Sequence, residues 1–339
     1  MQQGFGKVVL MRGWDFKKSD YEKAIKNKKI LTASIENTNY CNLDCKYCFR
    51  GGMLPGAERK SREIARNELL QAIDELHSLG TKAIYIVGAG EPLMDENISG
   101  LLEYINGKGI SPIVATNGSL ITPELVKIFD KTNTSVCLKL NTFNSELQDN
   151  LVQRKGYSKK RDNALKLLMD AGFNKPGKNY QTRLAINSIV FKDNFEEIPK
   201  ILDFCRKNNI QPVMSTFMPV GRTKIKTEQE VSLKDFLKLS KEIQKSDSEK
   251  YGLNYPELLP YLGGVPCSQC GKASLFISIT GDIFDCPGQL NKYGNIRGGS
   301  VAEAFEKVKA SAGNPDFVCT VREEYWKKTN TLNELISLC

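Results

Sequence analysis

The sequence predicts an α/β fold: a partial, TIM-like (β/α)6 barrel over residues 30–225, followed by a small cysteine-rich module. Three observations predict it. Short apolar runs alternate with amphipathic helical periods from residue 30 to residue 217, and alternation of that length implies a parallel sheet with right-handed crossovers. A loop carrying Cys41, Cys45 and Cys48 leaves the first strand at its carboxyl end, where α/β barrels place their active sites. A second cysteine group, Cys267, Cys270, Cys286 and Cys319, lies wholly behind the last strand–helix unit.

The elements follow in order. Residues 1–29 form a basic extension with Trp14 and Phe16 as packing anchors. Strands are expected at 30–35, 83–87, 112–115, 135–140, 184–191 and 212–217, and helices at 62–79, 97–107, 123–130, 160–172 and 195–208. The pattern then loosens. Residues 226–262 hold an amphipathic helix at 232–246 and a Pro/Gly-rich linker, and 263–339 form the cysteine-rich module.

Composition narrows the function classes. The 339 residues are 40% hydrophobic and 26% charged, as in an ordinary globular protein. There is no secretory signal and no apolar run long enough to span a bilayer, so a cytoplasmic location is expected. Ten cysteines in a reducing compartment point to metal or catalysis and not to disulfides. The single histidine, His77, excludes His-rich zinc sites and Ser–His–Asp triads. A formal charge of +9 is carried by scattered lysines, which read as a lysine-rich surface. Attraction of an anionic substrate or an acidic redox partner is the functional alternative. No nucleic-acid motif accompanies the charge.

Cys41, Cys45 and Cys48 are spaced C-x3-C-x2-C, with Tyr47 just before the last cysteine. Four thiolates normally hold a [4Fe–4S] cluster, so three without a close fourth suggest an iron left open to a non-protein ligand. A zinc half-site is the alternative, but zinc knuckles favour paired C-x2-C arms. Gly88-Ala-Gly90-Glu91-Pro92 ends the second strand about forty residues later, and Ala115-Thr-Asn117-Gly118 ends the third. In the fourth strand Cys137, Lys139 and Asn141 share one face, and Val136, Leu138 and Leu140 share the other.

The cysteine spacing and the G-A-G-E-P turn resemble the signatures of the radical S-adenosylmethionine (SAM) superfamily. The resemblance implies that Cys41, Cys45 and Cys48 hold a [4Fe–4S] cluster chelated by SAM. It implies reductive cleavage of SAM to a 5′-deoxyadenosyl radical that abstracts hydrogen from a substrate C–H bond, fed by a flavodoxin- or ferredoxin-type reductant. Tyr47, Gly90, Glu91, Asn117, Lys139, Asn141 and Met218 become the SAM-contacting candidates, with Glu91 and the nearby carbonyls toward the ammonium. Relatives often carry Ser-x-Asp where this chain has Lys139-Leu-Asn141, which leaves that specific contact open.

Cys270, Gly281 and Cys286 match the C-x(9–15)-G-x4-C hairpin that opens the SPASM or twitch extension of such enzymes. With Cys267 and Cys319 they imply one auxiliary [4Fe–4S] cluster, fully ligated; a zinc knuckle is the alternative. Cys137, Cys205 and Cys339 are left over. Cys137 is the candidate thiol donor of an epimerase, and Cys205 reads as a small hydrophobe. The expected substrate is a small polar molecule (sugar, cyclitol or nucleotide-like) undergoing oxidation or epimerisation. The alternatives are a ribosomal peptide that is crosslinked or epimerised, and a non-enzymatic electron carrier or zinc module.

Overall fold

The computed structural model describes residues 8–50, 63–177, 181–216, 229–255, 261–265, 273–288 and 291–310. The predicted α/β class is what forms. Six strands run parallel in sequence order: β1 (Thr32–Ile35), β2 (Ala83–Ile86), β3 (Ser111–Thr116), β4 (Ser135–Lys139), β5 (Leu184–Ile189) and β6 (Gln211–Ser215). Their apolar runs bury both faces, as parallel strands must. Ile84, Ile86, Val114, Val136, Leu138 and Ile186 face outward and pack, fully buried, with helix residues such as Ile73, Leu76, Leu102 and Ile201. The opposite face, with Ala83, Ile113, Cys137, Ala185 and Val213, lines the interior.

The crossover helices stand where helical periodicity placed them, at Arg66–Ser78, Ile98–Gly107, Pro123–Lys131, Tyr157–Asp170 and Ile198–Lys207. Thr122 caps the third through Leu125 N–H, with Pro123 at its first position. A further helix, Ser145–Val152, was not anticipated. Its polar surface gives little periodicity, but Asn144 caps it through Leu147 N–H.

The sheet does not close. It continues past β1 into β7 (Ser274–Ile277), which pairs parallel with β1 in register Thr32↔Ser274 to Ile35↔Ile277. Two antiparallel strands follow, β8 (Asp282–Phe284) and β9 (Lys292–Asn295), giving the order β6-β5-β4-β3-β2-β1-β7-β8-β9. The hairpin around Gly281 thus continues the barrel sheet. Gly281 makes its turn at φ +80°, a conformation that disfavours side chains.

The extension at 1–29 has a definite task in its described part. Met11 is fully buried among Ala83, Ile113, Cys137, Ala185 and Val213, and Trp14 stacks edge-on against Tyr85 at 4.8 Å. Arg12 N–H donates to Thr182 O and Ser135 Oγ to Arg12 O, both at strand beginnings. This segment therefore plugs the floor of the barrel, opposite the cysteine loop. The helix Leu233–Tyr251 is anchored by a buried pair, Arg206 to Asp247 at 2.7 Å, with side chains 3% and 5% exposed. No described helix is long and apolar enough to cross a membrane.

Candidate functional site

The carboxyl ends of β1 to β5 converge under the cysteine loop. That loop is tied down by its backbone: Asp44 N–H donates to Val152 O and Lys46 N–H to Leu151 O, at the end of the Ser145–Val152 helix. Leu43 is buried with Val152 and Tyr157, and Cys41, Cys45 and Tyr47 pack against them. From the other side, Gly90 N–H donates to Thr38 O and Glu91 N–H to Tyr40 O.

Close approach explains the glycine. A Cβ on Gly90 would sit 2.0 Å from Tyr40 O and 2.4 Å from Tyr40 C, both backbone atoms that cannot swing aside. Overpacking of even ordinary cores costs about 1–3 kcal/mol, and here the displaced segment leads into Cys41. Gly90→Ala is expected to fold with a shifted loop and to take up several-fold less iron on reconstitution. Wild-type iron content in that variant would show that the loop tolerates the shift.

Glu91 is 3% exposed and its carboxylate is turned inward. It accepts from Thr116 Oγ1 at 2.5 Å, Asn117 N–H at 2.8 Å and Leu93 N–H at 3.3 Å. These bonds tie its carboxyl group to the Thr-Asn-Gly turn. Asn117 donates to Asn42 Oδ1 at 2.9 Å, and its carbonyl accepts from Tyr157 Oη at 2.8 Å. Asn42 and Tyr157 thus join the site. Neither carried a recognisable signal, one being a loop residue and the other opening a helix.

Burial raises the Glu91 pKa to about 7, against the hydrogen bonds that lower it, and raises Glu36 also. With the folded value above the usual 4.5, the folded chain binds more protons than the unfolded chain between pH 4.5 and 7. Stability should fall as pH rises through that window, by on the order of 3 kcal/mol for Glu91. Urea denaturation from pH 5 to 8 reads the slope, and Glu91→Gln should flatten it. A wild-type stability that rises across this window would contradict the assignment.

On the interior wall, Lys139 Nζ donates to Asn187 Oδ1 at 2.6 Å and lies 5.0 Å from the Tyr47 ring centroid. Asn187 was missed; it is opposite Lys139 in the β4–β5 register. Asn141 is fully buried, its Oδ1 accepting from Ile189 N–H at 2.9 Å. Asn141 Nδ2 and Tyr47 Oη are both buried, and the Tyr47 hydroxyl faces the Cys45 sulfur and the Asn141 side chain. Cys137 lies two residues deeper, 1% exposed in the floor cluster beside Tyr85, and burial pushes its thiol up to about 12.

Cys41, Cys45 and Cys48 are half-buried. Burial pushes Cys45 up to about 12; Cys41 and Cys48 add to the rise, and the Tyr47 hydroxyl and Lys139 oppose it. The three thiols are therefore mutual electrostatic neighbours. A cluster's thiolates bind different irons, and three half-buried thiols on one short loop can supply them. The residues present fit a [4Fe–4S] group.

Of the second cysteine group, Cys286 is described: half-buried after β8, with its sulfur accepting from Gly288 N–H at 3.3 Å. Cys267, Cys270 and Cys319, with Met218 and Cys339, lie outside the described residues. Cys205 is fully buried on the helix side of the sheet, and His77 is exposed.

A mainly parallel α/β sheet carries three thiols on the loop at its carboxyl edge. The family model for the radical SAM superfamily matches residues 35–205, and the chain belongs to that superfamily. Membership implies SAM and a [4Fe–4S] cluster as cofactors. Among curated relatives, the AdoMet-dependent heme synthase of Methanosarcina barkeri is 29% identical over 55% of this chain and 50% of its own length. The mycofactocin maturase MftC of Mycolicibacterium smegmatis is 25% identical over 74% of this chain and 63% of its own. The chain thus spans between half and two thirds of these relatives. Among solved structures, Streptococcus suis SuiB bound to SAM superposes with TM-score 0.61 at 21% identity, covering 85% of this chain and 69% of that one. Native anSMEcpe with bound AdoMet gives 0.60 at 16%, covering 91% and 99%. At these identities the structures speak for the fold alone.

Proposed function

We propose that the chain generates a substrate radical at the mouth of its barrel, with Cys41, Cys45 and Cys48 holding the SAM-binding cluster and a C–H bond as the target. The observation that carries this is the cysteine loop, pinned at the carboxyl end of β1 between the Gly90 turn and the Ser145–Val152 helix. When bound, the cluster and SAM supply one-electron reduction and a 5′-deoxyadenosyl radical. The chain's own part is to hold and aim them. The strand-end carbonyls near Gly90 suit the ammonium, and Asn117, Lys139, Asn141 and Tyr47 present polar groups to the carboxylate and ribose. The floor plug of Met11 and Trp14 closes the far end and keeps water from entering there.

An auxiliary [4Fe–4S] cluster on Cys267, Cys270, Cys286 and Cys319 belongs to the same reading; Cys286 follows β8, which joins the barrel sheet through β7. It would let the enzyme accept or return an electron, giving oxidation or a redox-neutral change. For the substrate, a small polar molecule stood first on sequence grounds. The alignment with a maturase over 74% of the chain favours the peptide reading instead, in which a precursor is crosslinked or epimerised. Cys137 is the hydrogen donor under epimerisation; Cys137→Ala should then keep SAM cleavage and lose the epimer.

The test is anaerobic reconstitution with iron and sulfide counted, then SAM, dithionite and an assay for 5′-deoxyadenosine. Two clusters predict about eight irons per chain and SAM cleavage. About four irons, unchanged in a Cys270→Ala/Cys286→Ala double variant, would remove the auxiliary cluster. Bound zinc without iron would remove the whole reading.

A further inference from the structure

Among the described residues Lys139 makes no ion pair, and its hydrogen bond there goes to the neutral Asn187. Its described surroundings on the interior face are uncharged: the Tyr47 ring on one side, and Cys137, Ala185 and Val213 on the wall below. A buried, uncompensated ammonium is costly, so the working site must bring negative charge to it. The Cys45 sulfur is the acidic group on which it acts most directly, and the same sulfur is addressed by the Tyr47 hydroxyl. The Tyr47 hydroxyl also faces the Asn141 side chain.

We propose that Lys139 is the fixed counter-charge of the cluster on the cysteine loop, raising its reduction potential through the Cys45 sulfur, with Asn187 and Tyr47 holding the ammonium in place. This rests on the reading of Cys41, Cys45 and Cys48 as cluster ligands. Cluster potentials respond to net charge and to hydrogen bonds at sulfur. A three-thiolate [4Fe–4S] group is anionic and gains another negative charge on one-electron reduction. A nearby ammonium therefore favours the reduced form. Asn187 sets the place of the charge: its Oδ1 accepts from the ammonium, and its position opposite Lys139 in the ladder leaves little freedom.

The experiment is an EPR-monitored redox titration of the reconstituted full chain without SAM. The signal that changes when SAM is then added identifies this cluster. Lys139→Met should cut the ratio of reduced to oxidised cluster at a fixed potential about tenfold, a midpoint about 59 mV lower for a one-electron couple. Lys139→Arg should stay close to wild type. Asn187→Asp keeps the lysine but neutralises it, and should move the midpoint the same way as Lys139→Met; it decides the matter if Lys139→Met takes up no iron. Unmoved midpoints in Lys139→Met and Asn187→Asp would overturn the proposal, as would Lys139→Arg falling as far as Lys139→Met. A lysine acting only on SAM gives that unmoved result. Should wild type give no SAM-responsive signal at all, the cysteine-loop reading falls first and the proposal with it.

Discussion

Replacing Cys45 by Ala is expected to abolish 5′-deoxyadenosine formation and to lower bound iron by the content of one cluster. Cys45 packs with Leu43, Val152 and Tyr157 and feels Tyr47, Lys139, Cys41 and Cys48 together. With three thiolates for a cluster, the loss of one leaves two irons without protein ligands. Removing a group that merely supports a metal ligand costs about 10–100-fold in affinity or activity, and removing the ligand should exceed that. Cys205→Ala is the control. Cys205 is fully buried, yet it sits on the outer, helix-covered side of the sheet. Its loss should lower stability slightly and leave iron and activity alone. If Cys45→Ala keeps its iron and still cleaves SAM, the loop is not the cluster site.

The strands and crossover helices were legible because their physics is local. Each apolar run is buried on both sides, and each helix carries its own cap and stripe. Strand faces were legible for the same reason: Cys137 and Lys139 point inward and Val136 and Leu138 outward, as period-two alternation demands. Glu91 was legible as a residue and not as a direction. Nothing local says that its carboxylate turns to Thr116 and Asn117 and away from the open mouth. Pairing across long sequence distance was not legible either. The β1–β7 ladder joins Ser34 to Phe276, and short strands carry no mark of which edge they will extend. The floor plug at Met11 was hidden for that reason too, since it makes its contacts with strand beginnings scattered over the whole barrel. Asn187 could have been found: once Lys139 was placed inward on β4, the neighbouring strand had to supply something polar opposite it.

The largest loss of stability is expected from Glu36→Ala. Glu36 follows β1, its side chain fully buried, and one carboxylate oxygen takes Arg50 Nη2 at 2.8 Å and Ile279 N–H at 2.9 Å. Its other oxygen lies 2.8 Å from Arg50 Nε. Three parts of the molecule meet on that carboxylate: the end of β1, the chain just after Cys48, and the turn between β7 and β8. Burial alone would drive the group toward its neutral form; Arg50 and the Ile279 amide oppose this. Truncation leaves both without an acceptor, and breaking a buried pair costs about 3–5 kcal/mol. Glu36→Gln preserves shape and an acceptor for Ile279 N–H while removing the charge, so its cost should be smaller. Because the turn leads through Gly281 toward Cys286, the damage should reach both ends: less iron at the cysteine loop and a hairpin opened to hydrogen exchange at Ile279 and Ile283. Arg50 is the weaker partner, its side chain 20% exposed, so Arg50→Met should lose less stability than Glu36→Ala. Denaturant unfolding of the three variants orders them. If Arg50→Met costs as much as Glu36→Ala, the ion pair itself holds the junction; if Glu36→Gln is silent, its acceptor geometry does.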